Sequence, residues 1–326
     1  MLGIGVGRLT LFALPPTLTG WAANTPDFAS AAGQTPVTKP VMNGTGLTGA
    51  TSFKLNGVEH ISNVTVTATT ITINTVNAGS VGAFTAVQVT TPAGVATYGN
   101  GTTHGWTYLP AGYHIWRADL GVTFGVAPAV SSWADQGDLT ANDATQATTV
   151  RRPVLATSVI NSLSAMQFSY AASTYFQLSS MAALTAGHMF AVVDLTTTAN
   201  NGSNQFGSSI TGNWIDYSGT TYEDFGITNR YSFTTPAELA NAPAVYEASA
   251  SAAGAVAIHV NGTSAYSASG KTIGFSTAPS IGAGLAAGES INGYEEEILV
   301  FNTVLSGSNL TAVKAYLYGR TGISGI

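Results

Sequence analysis

Helical periodicity is nearly missing from this chain. Across its 326 residues the one convincing amphipathic helix is short, with Leu310, Val313 and Leu317 recurring at i, i+3 and i+7, so the remainder must satisfy its backbone in sheets. Ser306 or Ser308 can accept backbone N–H bonds where that helix begins, and Gly319 is placed to end it. Just upstream, Glu297 to Phe301 carries apolar side chains on both faces, Ile298 and Val300 on one and Leu299 and Phe301 on the other. That is the pattern of a central strand between two layers. A lone terminal helix behind it is expected to pack on the outside of a sandwich.

The strands that precede it are short and regularly punctuated. Phe53 to Val58 contains a strand that ends in Asn56-Gly57, a strong hairpin dipeptide, and Val256 to Val260 turns in the same way at Asn261-Gly262. Val64-Thr65-Val66 and Ile71-Thr72-Ile73 each alternate, but their parity flips across Ala68 to Thr70, which requires a turn or bulge there. Val87 and Val89 read as a half-buried strand, and Thr91-Pro92-Ala93-Gly94 as a turn. Met189 to Leu195 is apolar on both faces. At 326 residues there is room for two domains, and Tyr108 to Gly112, with Pro110 and Gly112 as punctuation, is the candidate linker.

Composition removes several classes of function. Charged residues are 8% of the chain against 45% hydrophobic, so the chain can form cores and is not of the disordered type. Ten Lys plus Arg and a net charge of −6 leave no basic stripe for phosphates, which sets nucleic acid aside as a partner. With no cysteine, disulfides, thiolate zinc sites and thiol nucleophiles are all excluded.

The first sixteen residues, MLGIGVGRLTLFALPP, are apolar with Arg8 inside. A membrane span needs about 20 apolar residues, and Arg8 and Pro15-Pro16 interrupt too early. A secretory signal places its positive charge before the apolar run. The third reading is a docking arm: Leu2, Ile4 and Val6 alternate with Gly3, Gly5 and Gly7, an edge that can add to another protein's sheet, continued by Arg8, Leu9, Leu11 and Phe12.

Two runs of residues resemble known families. Gly44-Thr45-Gly46-Leu47, Ala50-Thr51-Ser52-Phe53, Asn56-Gly57, Thr70-Ile71-Thr72 and Val87 to Gly94 are similar to the IPT/TIG family of immunoglobulin-like domains, over roughly residues 17–109. Trp116-Arg117-Ala118-Asp119, Val130 to Gly137, Asn142 to Gln146 and Ala165 to Phe168 at one end, with Glu297 to Phe301, Leu305-Ser306, Tyr316-Leu317 and Gly322-Ile323 at the other, resemble the laminin G-like, concanavalin A-like jelly rolls of phage and bacterial surface proteins. The resemblance implies an all-β chain. Its parts would be an N-terminal anchor arm (residues 1–16), an immunoglobulin-like β-sandwich (17–109) and a jelly-roll β-sandwich with a short C-terminal helix (112–326).

Candidate chemistry is sparse. Some glycosidases of that superfamily use alternating carboxylates on one strand, and Glu295 and Glu297 would share a face of the closing strand, as retaining hydrolysis requires. The plainer reading has Glu297 hydrogen-bonded to a neighbouring strand or loop and its fellows in solvent. Asp135, Asp138, Asn142 and Asp143 could bind calcium, but they match no spaced calcium loop and read rather as an Asx-rich surface turn. Five histidines show no metal spacing, and no metal or other cofactor is implied. For ligand binding the best stretch runs from Trp214, Asp216 and Tyr217 to Tyr222 and Asp224, where aromatic faces for sugar rings alternate with acceptors for hydroxyls. The same aromatics would serve a core or a protomer interface.

The expectation drawn from these observations is a non-enzymatic phage virion component, a fibre or capsid decoration on the virion surface, made in the bacterial cytoplasm. Its partners would be other virion proteins through the arm, further copies of itself (a trimer being one form) and a host-surface glycan, without membrane insertion. The alternatives are a polysaccharide-active enzyme using Glu295 and Glu297, and a secreted bacterial adhesin.

Overall fold

The computed structural model describes residues 14–21, 28–30, 41–74, 82–83, 86–99, 107–196, 201–202, 204–208, 214–215, 219–240, 242–283 and 291–326. The chain divides into two compact units, Met1–Leu109 and Pro110–Ile326.

In the first unit two four-stranded antiparallel sheets face one core. One runs Thr17–Trp21, Val41–Thr45, Thr70–Ile73, Val64–Val66; the other runs Gly94–Tyr98, Val87–Thr91, Ser52–Leu55, Val58–Glu59. Period-two alternation sends Met42, Ile71 and Ile73 from the first sheet, and Phe53, Leu55, Val87 and Val89 from the second, into a shared interior sealed by Leu47. The turn chemistry does what the sequence predicts. Asn56 and Gly57 both take positive φ, 47° and 83°, the requirement of a two-residue turn that matches strand twist. The parity flip is resolved by a tight connection at residues 67–69 that pairs Val66 with Ile71.

The second unit is built on one long hydrogen-bonded sheet that folds back on itself. Trp133 and Phe176, from strands on one side of its path, share a core with Ile258 and Val260 from the other. The closing strand Gly293–Phe301 is central: Gly187–Leu195 pairs along one edge, while Leu163–Phe168 and then Tyr113–Arg117 share the other. Its apolar residues alternate as the sequence indicates, with Ile298 and Val300 in the inter-layer core. The hairpin of Val256–Val260 with Thr263–Ala268 turns at Asn261 and Gly262, with φ of 47° and 73°. A separate small sheet, Asn201–Gly202, Trp214–Ile215, Thr220–Glu223 and Tyr231–Thr234, completes the unit.

The helix spans Gly307–Thr321 and buries Ala312, Val313, Tyr316, Leu317 and Thr321, while Leu310 is half-buried. Two terminal expectations need correction. Ser306 is the N-cap residue, but its hydroxyl makes no capping bond. The helix passes through Gly319 and ends at Gly322, whose φ of 69° is left-handed and whose N–H donates to the Tyr318 carbonyl. Only one of the two glycines adopts the conformation that terminates a helix.

Candidate functional site

The carboxylates of the closing strand are separated by a β-bulge. Val192 pairs with Glu297 and Val193 with Glu295, so Glu296 has no partner in the register. An extra residue reverses the alternation beyond it. Glu296 and Glu297 therefore point together toward the helix, and Glu295 points the opposite way. Arg320 lies 2.5 Å from the Glu296 carboxylate and 3.1 Å from that of Glu297, and the Tyr316 hydroxyl donates to Glu297 at 3.0 Å. Arg117 and Arg320 also share Asp119, at 2.7 and 3.1 Å. On the other face Glu295 accepts from Asn204 Nδ2 at 2.8 Å.

This corrects both sequence readings of the segment. Glu295 and Glu297 do not share a face, because the bulge lies between them; and Glu295 and Glu296 are not in solvent, since all three glutamates are fully buried. Burial pushes the Glu295 carboxyl up to about 8. Burial also raises Glu296, against the pull of Arg320. A neighbouring clamp runs the other way in charge: Glu247 is penalised by burial, yet His188 and Lys314, each at 3.0 Å, hold it down to about 2. Because His188 Nδ1 also accepts from Leu305 N–H, this clamp ties the helix entry to the sheet.

The oxygens of the Asp135 cluster are turned toward the protein itself. Asp135 accepts from the N–H groups of Ile115, Gly137 and Asn142 and contacts His114 Nδ1 at 2.6 Å. Asp138 accepts from Gly112 and Tyr113, Asp143 from Asp135 N–H, and Asn142 Oδ1 from Ser179 N–H. These are loop-bracing bonds of the Asx type.

The small sheet carries the residues singled out for ligand binding. On Thr220–Glu223, Thr221 and Glu223 are buried and Thr220 and Tyr222 half-buried; on the paired strand Tyr231 is buried while Ser232 and Thr234 are exposed. One face thus looks inward, and Tyr222 lies on the other with the guanidinium of the exposed Arg230 4.7 Å from its ring centroid. Tyr222 stands opposite Trp214 in the register. Asp224 directly follows this strand. It is fully buried, its oxygens accept no hydrogen bond among the described residues, and burial with the adjacent Glu223 charge pushes its carboxyl well above the usual range. Glu223 itself is satisfied by two backbone N–H groups and the Tyr246 hydroxyl.

Asp216 and Tyr217, the side chain of Trp214, and the arm residues Leu2, Ile4, Val6, Arg8, Leu9, Leu11 and Phe12 lie outside the described residues. The Arg117, Asp119, Glu296 and Arg320 network was not legible in the sequence. Its one local sign is the Arg117-Ala118-Asp119 spacing, which on a strand end lets the two side chains meet.

No family model matches the chain, and no curated protein matches it. Solved structures similar in part include a Trypanosoma rangeli sialidase (11% identity, TM-score 0.43), matched over 67% of this chain and 33% of that one. Another is the enzymatically active domain of tailspike protein 2 from bacteriophage CBA120 (17%, TM-score 0.39), over 52% of this chain and 29% of that one. A third is domain 4 of an extracellular arabinanase from Geobacillus stearothermophilus (12%, TM-score 0.33), over 61% and 86%. This chain thus spans about a third of the length of the first two. At such identities and scores the likenesses carry no argument about function.

Proposed function

We propose that this chain is a non-enzymatic component of a phage virion surface, a fibre or decoration subunit whose second unit binds a host-surface glycan. The observation that carries the reading is the outward face of the small sheet, where Tyr222, with the Arg230 guanidinium 4.7 Å from its ring centroid, shares that face with Ser232 and Thr234. An aromatic face among hydroxyls and a cation is a surface on which a sugar ring stacks and hydrogen-bonds. The carboxylates that a glycosidase reading would use are engaged otherwise: Glu297 is bound by Tyr316 and Arg320, and Glu295 faces the opposite side of its strand. The laminin G-like and IPT/TIG-like runs of the sequence supply the virion context, and Met1 to Pro16 is its anchor. Among the described residues no helix is long and apolar enough to cross a membrane.

The test is binding of the full chain to purified envelope polysaccharide from the host. Retention with no change in polymer size, weakened at least tenfold by Tyr222→Ala with Arg230→Ala, is the expected result. Depolymerisation that Glu295→Gln or Glu297→Gln abolishes would establish the enzyme instead. Deleting residues 1–14 should leave a folded protein that no longer joins particles.

A further inference from the structure

Beside that face is a cleft for which the sequence gives no sign. It has a volume of about 210 Å³ and is walled by Thr234, Thr235, Pro236 and Glu238 on one side and by Val260, Thr263, Ser264 and Ala265 on the other. The walls belong to different sheets, and an aromatic stack holds them together: Tyr266 lies 4.3 Å from Tyr231 and 5.7 Å from Phe233, both nearly parallel to it. The cleft is therefore formed before any ligand arrives, and no ordering of its walls opposes binding.

We infer that this cleft is a subsite for one neutral pyranose unit, the end of the glycan whose neighbouring units lie across Tyr222. The inference rests on the glycan-binding reading. Three features define the ligand. Pockets for drug-sized molecules run about 300–1,000 Å³, so this volume suits a single ring. Thr234, Thr263 and Ser264 are exposed, and their hydroxyls make no hydrogen bond among the described residues, while the half-buried Pro236 and Ala265 offer an apolar surface above the buried Val260. Free hydroxyls around a small apolar patch match the two kinds of surface on a pyranose. Among the described residues that line the cleft there is no cation, and Glu238 is negative, so a uronic or sialic acid is opposed by charge. Thr234 belongs both to the cleft and to the outward face, which makes the two continuous.

The experiment is saturation-transfer NMR and calorimetry on the full chain. The probes are methyl glycosides of glucose, galactose and N-acetylglucosamine, set against glucuronic and N-acetylneuraminic acid. At least one neutral glycoside should bind and neither acid should. Ser264→Trp, which fills the cleft from an exposed strand position, should weaken that binding at least tenfold while thermal unfolding stays unchanged; Thr234→Trp, from the opposite wall, serves if the first variant unfolds. Absence of neutral-glycoside binding, equal binding of the acids, or full affinity in a folded cleft-filled variant would overturn the inference. Envelope polysaccharide bound equally by wild type and Ser264→Trp would discard the cleft and leave the glycan-binding reading standing. Polysaccharide that the wild type does not bind would remove that reading itself.

Discussion

Glu295 shows how one inserted residue changes the meaning of a side chain. Three consecutive glutamates on a strand suggest two on one face; the bulge instead sends Glu295 alone into the inter-layer core. In the folded chain it keeps its proton to about pH 8, whereas an ordinary glutamate releases it near 4.5. Between these values the folded state holds the extra proton, so stability falls as pH rises, by at most about 1.4 kcal/mol per pH unit. Glu295→Gln keeps the acceptor for Asn204 and has no proton to lose. Its urea stability should match wild type near pH 4.5 and exceed it increasingly toward pH 8; parallel profiles would show that Glu295 is not desolvated. The Asp135 loop carries a second prediction at this scale. Its oxygens are already occupied by backbone N–H groups, so chelator should leave the melting temperature unchanged, and a fall restored by calcium would contradict the bracing role.

At the level of the element, the C-terminal helix is held by charge as well as by apolar contact. Arg320 is nearly buried between Glu296 and Glu297, and replacing it with Met leaves buried carboxylates short of a cation, which costs about 3–5 kcal/mol. Adding Glu296→Gln to Arg320→Met should recover part of that loss, read as a coupling energy in a double-mutant cycle. Additive losses would mean that the pair does not interact. The helix end offers a sharper contrast. Gly319 is helical, and an added Cβ would meet nothing, so Gly319→Ala should stabilise by up to about 1 kcal/mol. Gly322 is left-handed, so Gly322→Ala should destabilise by about 1 kcal/mol. Thermal unfolding of the two variants separates them by sign, and the reverse order would restore Gly319 as the terminator.

For the whole molecule, contacts concentrate within Met1–Leu109 and within Pro110–Ile326. Limited proteolysis should release a stable fragment beginning near Gly112, and first cleavage inside Met189 to Leu195 would contradict that division. Much of the architecture is legible in the sequence because it rests on local rules. Period two places Ile298 and Val300 in the core, Asn-Gly dipeptides take the positive φ of tight turns, and the spacing of Leu310, Val313 and Leu317 marks the helix. The IPT/TIG and laminin G-like resemblances of the sequence imply an all-β chain, which the structure has, and do not reach its chemistry. What only the tertiary structure decided is how residues distant in sequence meet. The register of the closing strand against Gly187–Leu195 creates the bulge, and with it the opposite fates of Glu295 and Glu297. Arg117 and Arg320 reach one aspartate because a strand near the start of the unit pairs with the strand that precedes the helix. The cleft exists because strands of two sheets are held together around the Tyr231–Tyr266 stack, and no local pattern of Thr, Ser and Pro encodes a void between strands that the chain brings together only on folding.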